Sequence, residues 1–62
     1  MTPTEAFCEA ADNWHAHLVR CFGSEAVYYR YSRWAREMHP AYDAAARAAE
    51  RAYEAAFLEG TT

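Results

Sequence analysis

The chain has 62 residues and a net charge of −3, from six Arg against nine acidic residues, with no Lys and no Ile. Of the 53% of residues counted as apolar, 15 are Ala, which leaves 16 large apolar side chains beside two Cys. One small domain (1–62) is all this can build, since a chain of this length buries only about 60% of its extended surface and one such core supplies ~3–5 kcal/mol. A deep catalytic cleft with its own scaffold is excluded, and so is a binder that works by neutralising many phosphates. Abundant Ala and Arg without Lys or Ile is a bias expected of GC-rich coding DNA, so the expected source is a high-GC bacterium or one of its phages.

The first helix is predicted over about 3–22. Thr2 stands at its N-cap, Pro3 at the first helical position and Glu5 at the third, the pattern of a capping box. Phe7, Ala11, Trp14, Leu18 and Cys21 then recur at steps of four and three, the helical period. Glu5, Glu9, Asp12, Asn13 and Arg20 fall opposite. Gly23 suits the positive-φ position that ends a helix.

A second helix is expected over about 25–38, with Ser24 as N-cap and Glu25 in the first turn. Its stripe is Val27, Tyr31, Trp34 and Met38, with Tyr28 at the edge. Pro40 then removes a backbone donor and drives residue 39 out of α geometry. It either opens a third helix over about 40–58 or kinks one long helix. Nine of the 17 residues from Ala41 to Phe57 are Ala, the strongest helix former. Gly60 closes this helix, and Thr61 and Thr62 are expected to fray.

The start of the chain has no basic segment ahead of an apolar run, so it does not read as a signal peptide. No apolar run exceeds four residues, against ~20 for a membrane span. A soluble, cytoplasmic protein is the expectation, with no membrane partner.

Metal and catalytic chemistry find little footing. Structural zinc needs about four ligands from converging elements, whereas both Cys and two of the three His sit on the first helix, in pairs that point different ways. Cys8 and Cys21 are ~20 Å apart along a continuous helix, too far for the ~7 Å of a disulfide. The third histidine stands beside Pro40. Cys8 and His15, the one local nucleophile and base, are about 10 Å apart along the axis. No glycine-rich phosphate loop exists. The expectation is no enzyme, no cofactor and no metal.

The stretch Tyr28-Tyr-Arg-Tyr-Ser-Arg-Trp-Ala-Arg36 is the most unusual. Read as one helix, it sets Tyr29, Arg33 and Arg36 on a shared polar face, and Tyr with Arg is the composition favoured at interface hot spots. These three are the expected partner-binding residues, with a solvated Arg face as the plain alternative. A single-stranded nucleic acid stacking on the same face is the second reading, disfavoured by the acidic total. A helix-turn-helix fits poorly, because the would-be recognition helix opens on Glu25 and offers no base-reading side chain in its first turn.

The last helix carries Tyr42, Ala46, Ala49, Tyr53 and Phe57 as one stripe. Beside it runs an all-Ala seam of Ala41, Ala45, Ala48, Ala52 and Ala55. Such a seam lets two backbones approach closely, within the chain or between copies, and self-association as a two-fold homodimer through it is the expectation. Asp43, Arg47, Glu50 and Glu54 form the solvated face, with Asp43 and Arg47 spaced to pair.

The fold expected is all-α, a small three-helix bundle or a helical hairpin with its second arm kinked at Pro40. Its core would be Phe7, Trp14, Leu18, Phe22, Val27, Tyr31, Trp34, Met38, Tyr42, Tyr53 and Phe57. The function expected is that of a non-enzymatic interaction module, a small acidic regulator or inhibitor occupying a surface of a larger protein.

Overall fold

The capping box at the start of the chain forms as its residues dictate. In the computed structural model, which describes residues 1–60, the Thr2 hydroxyl accepts from the Glu5 amide at 3.1 Å and the Glu5 carboxylate accepts from the Thr2 amide at 3.4 Å. Helix α1 then runs Pro3–Phe22 and ends at Gly23, whose φ of 57° lies where a side chain is strained. The Gly23 amide donates to the Val19 carbonyl and closes the last turn.

The predicted second helix is not continuous. A 3-10 turn spans Gly23–Glu25, helix α2 spans Ala26–Tyr29, and helix α3 spans Arg33–Met38. Ser24 lies inside the 3-10 turn, and α2 starts without a side-chain cap. The cap is Ser32 instead, with extended backbone and its Oγ accepting from the Ala35 amide at 3.3 Å. The break is held from outside. Tyr42, fully buried, donates its hydroxyl to the Arg30 carbonyl at the interruption and, at 3.3 Å, to the Tyr29 carbonyl, which also accepts from the Ser32 amide.

Pro40 breaks the chain rather than bending it. His39 has φ −130° and ψ 86°, outside helical geometry, and its carbonyl accepts from the Asp43 amide at 3.0 Å in the first turn of the next helix. Helix α4 runs Pro40–Gly60 with Pro at its first position. The expected fraying of Thr61 and Thr62 lies outside the described residues. Among the described residues the secondary structure is all helical, and no helix is long and apolar enough to cross a membrane.

Helices α1 and α4 form an antiparallel hairpin. Leu18 shares a core cluster with Tyr42 at one end, and Phe7 meets Tyr53 edge-on at the other, 5.4 Å between centroids. Both pairs lie eleven residues apart on their helices, or about 16 Å at the helical rise. The short α2–α3 segment folds over only the Leu18–Tyr42 end. The molecule is therefore elongated, 37 × 17 × 17 Å with a radius of gyration of 12.4 Å. A compact domain of this length would have about 10.6 Å.

The core is smaller than the sequence predicts, and made of smaller residues. Leu18, Ala35, Tyr42, Ala45, Ala46 and Ala49 are buried, with Trp14, Phe22, Ala26 and Tyr29 packed against them. Val27, Tyr31, Trp34, Met38, Tyr53 and Phe57, all expected in the core, are more than half exposed. Two causes act on the 26–38 segment. The break at 30–32 changes the phase between α2 and α3, and the face turned inward is the one whose Ala26 and Ala35 allow close approach to the hairpin.

Candidate functional site

Because Ala26 and Ala35 face inward, the large residues of 26–38 other than Tyr29 face out. Val27 is 78% exposed, Tyr28 80%, Trp34 53% and Met38 59%. With Tyr31, 82% exposed, five large apolar side chains are turned to water within 12 residues, more than incidental surface exposure. We refer to this segment as the shelf.

The shelf is anchored by polar groups that sequence reasoning assigned to a partner. Arg36 grips α4 with its whole guanidinium: Nε donates to Asp43 Oδ1 at 2.6 Å, and the two terminal nitrogens donate to the Glu50 carboxylate at 3.0 and 3.1 Å. The hydrogen bonds to Glu50 and then Asp43 hold the guanidinium far above its ordinary pKa. Asp43 also accepts from Arg47 Nε at 3.0 Å, the i, i+4 pair expected from the sequence. Its carboxyl is held below the ordinary value, mainly by the Arg36 hydrogen bond and secondarily by the charges of Arg47 and Arg36, against the opposing effect of desolvation. Half-exposed ion pairs contribute little net stability. Their geometry fixes which way the shelf faces.

Tyr29 is likewise turned inward. Its ring stacks on Phe22 at 4.4 Å and lies 5.8 Å from Trp34. Of the three residues expected on a shared exposed face, only Arg33 is exposed, while Tyr29 and Arg36 are half-buried and engaged within the chain. The reason is again the break: a single helix from 25 to 38 would align these positions, and two helices do not.

The Ala seam of α4 is divided in the same way. Ala45 is buried inside the chain, Ala48 and Ala52 are half-buried, and Ala41 and Ala55 are exposed. No uninterrupted strip of exposed Ala is present at these five positions.

Beside the shelf lies a groove of about 580 Å³. Phe7 and Trp14 of α1 and Ala49 and Tyr53 of α4 line it from the hairpin, and Arg30 and Tyr31 from the shelf. Arg36 and Glu50, already paired, border it as well. Tyr31 meets Trp14 edge-on at 6.1 Å, and the Arg30 guanidinium sits 6.0 Å from the Trp14 ring centre, within cation–π range. Arg30 also comes within 3.4 Å of His15 Nδ1. The Trp14 indole nitrogen is buried without a hydrogen-bond partner among the described residues. A second, more polar groove of about 670 Å³ lies on the other side of Tyr31, lined by Arg33, Arg36, Glu37, Asp43 and Arg47 with Pro40.

No cluster of three or more His, Cys, Asp or Glu able to hold a metal occurs among the described residues. Cys8 and Cys21 are free and exposed. No protein-family model, curated protein or solved structure matches this chain.

The residues missed by sequence reasoning are Ala26 and Ala35, which select the inward face, and Arg30, which covers Trp14. A local signal existed for part of this. Ser32 three positions ahead of Ala35 is a helix N-cap pattern inside an apparently continuous helix.

Proposed function

We propose that this chain is a non-enzymatic interaction module, a small acidic regulator or inhibitor that docks the shelf onto a larger protein. The observation that carries the reading is the outward set of Val27, Tyr28, Trp34 and Met38, flanked by exposed Arg33. Burying large apolar side chains gains about 1.5–3 kcal/mol each, and aromatic residues beside Arg are the usual anchors of protein interfaces. The shelf is stiffened before binding by the Arg36 ion pairs and the Tyr42 hydroxyl, which lowers the ordering cost of association.

A protein partner fits better than a nucleic acid. Arg36 and Arg47 are already paired with carboxylates and Arg30 lies over Trp14, so few cations remain to displace counterions from phosphates. The two exposed thiols suit a reducing, cytoplasmic setting, and the coding bias fits a high-GC bacterium or phage. Affinity capture from such a host, comparing the native chain with a Tyr28→Ser, Trp34→Ser variant, tests the proposal. A protein retained by the native chain and lost by the variant supports it, and equal recovery with both refutes it.

A further inference from the structure

We propose that the groove beside the shelf is closed by a second copy of this chain, packed antiparallel about a two-fold axis. The Tyr31 bank of each copy's shelf, and not its outward face of Val27, Tyr28, Trp34 and Met38, then lies against the uncovered end of the other's hairpin. Shape gives the first reason. The shelf covers only the Leu18–Tyr42 end, so the same flank of the molecule carries a ridge at one end and a step at the other. Tyr31 and Tyr53 border one groove, which places ridge and step on a common face. A two-fold rotation sets Tyr31 of each copy near Tyr53 of the second copy, the reciprocal pairing such an interface requires.

Exposure gives the second reason. Tyr31 is 82% exposed, Tyr53 57% and Phe57 58%, and Tyr53 and Phe57 stack on each other. The chain exposes 4614 Å², about 500 Å² more than a compact monomer of this mass. A flank 37 Å long and 17 Å wide projects about 630 Å², of the order of the ~800 Å² each partner contributes to a standard interface.

Charge decides the direction. The shelf end, residues 15–50, taken through the Glu50 that Arg36 holds, has five Arg against four acids, a net +1. The open end, residues 1–14 and 51–60, has five acids against one Arg, a net −4. A parallel pair would set −4 beside −4, and an antiparallel pair sets +1 beside −4 at both ends. Val27, Tyr28, Trp34 and Met38 do not line the groove, so this interface is separate from the proposed partner surface.

Sedimentation equilibrium of the whole chain tests the inference. A species of twice 7.1 kDa is expected below about 1 mM, with dissociation at least tenfold stronger in Tyr53→Glu, Phe57→Glu and in Tyr31→Ser on the opposite bank. Tyr53 also packs on Phe7 and Tyr31 on Trp14 within the chain, so Phe57→Glu alone is the variant expected to keep its helix content by far-ultraviolet circular dichroism and still weaken the dimer. Val27→Ser should leave the dimer intact. Raising salt from about 50 to about 500 mM shortens the screening length several-fold and should weaken the dimer. A 7.1 kDa species at every concentration overturns the proposal, as do a dimer indifferent to both groove variants or one strengthened by salt.

Discussion

Removing one oxygen atom from Tyr42 should cost this protein a large fraction of its stability. Tyr42 is fully buried, and Tyr42→Phe keeps the ring, including its edge-on contact with Phe22 at 5.9 Å. What is lost is the hydroxyl that donates to the carbonyls of Tyr29 and Arg30. The Tyr29 carbonyl keeps the Ser32 amide at 3.1 Å, so the Arg30 carbonyl bears the loss. Leaving a part-buried acceptor unsatisfied costs about 1–2 kcal/mol, the lower part of the range for a fully buried one. A 62-residue domain has a total of only about 3–9 kcal/mol, and each kilocalorie moves the midpoint of so small a domain by about 4–8 °C. Thermal unfolding followed at 222 nm should therefore show a midpoint lower by about 4–16 °C for Tyr42→Phe at neutral pH. A midpoint within about 2 °C of the native value would refute the idea that this hydroxyl holds the break between α2 and α3.

Acid should loosen the shelf. The Asp43 carboxyl is held below its ordinary value of 3.8 by the Arg36 hydrogen bond, so its contribution is complete above that value and is lost as pH falls through the depressed one. The thermal midpoint should be level above about pH 5 and fall below about pH 4, and Asp43→Asn should flatten that acid limb; an unchanged limb in the variant would assign it to other carboxylates. Gly23→Ala meets no atom within 4 Å, so its cost comes from φ +57° alone. A loss of about 1–3 kcal/mol in urea unfolding is expected, and a neutral result would mean the α1–α2 turn adopts another geometry.

The long elements were readable because their signals are local. Thr2, Pro3 and Glu5 set the start of α1, Gly23 its end, and Pro40 with the Ala-rich run set α4. The α2–α3 segment was misread because its signals compete. The large stripe Val27, Tyr31, Trp34 and Met38 has the helical period, whereas Ala26, Tyr29, Ser32 and Ala35 step by three and share a face only once the helix breaks between Tyr29 and Arg33. Hydrophobicity favours burying the first. Contacts from distant residues favour the second: the Tyr42 hydroxyl holds the break, and Asp43 and Glu50 draw Arg36 inward. Neither partner is visible in a window of one helix. The same inversion turned Tyr29 and Arg36 from the expected binding face into half-buried contacts within the chain and exposed the large residues of this segment expected in the core. The grooves depend on how far the shelf extends along the hairpin, a length fixed by tertiary packing and not by period.

Site-specific photo-cross-linking tests most directly whether the shelf is a partner surface. A benzophenone side chain placed at Tyr28 or Trp34, irradiated in a high-GC bacterial host, should give one discrete adduct with a larger protein. The same group at Arg51 or Glu54, exposed positions on α4, should not give that adduct. Absence of an adduct from both shelf positions, or the same adduct from all four, would contradict the proposed function.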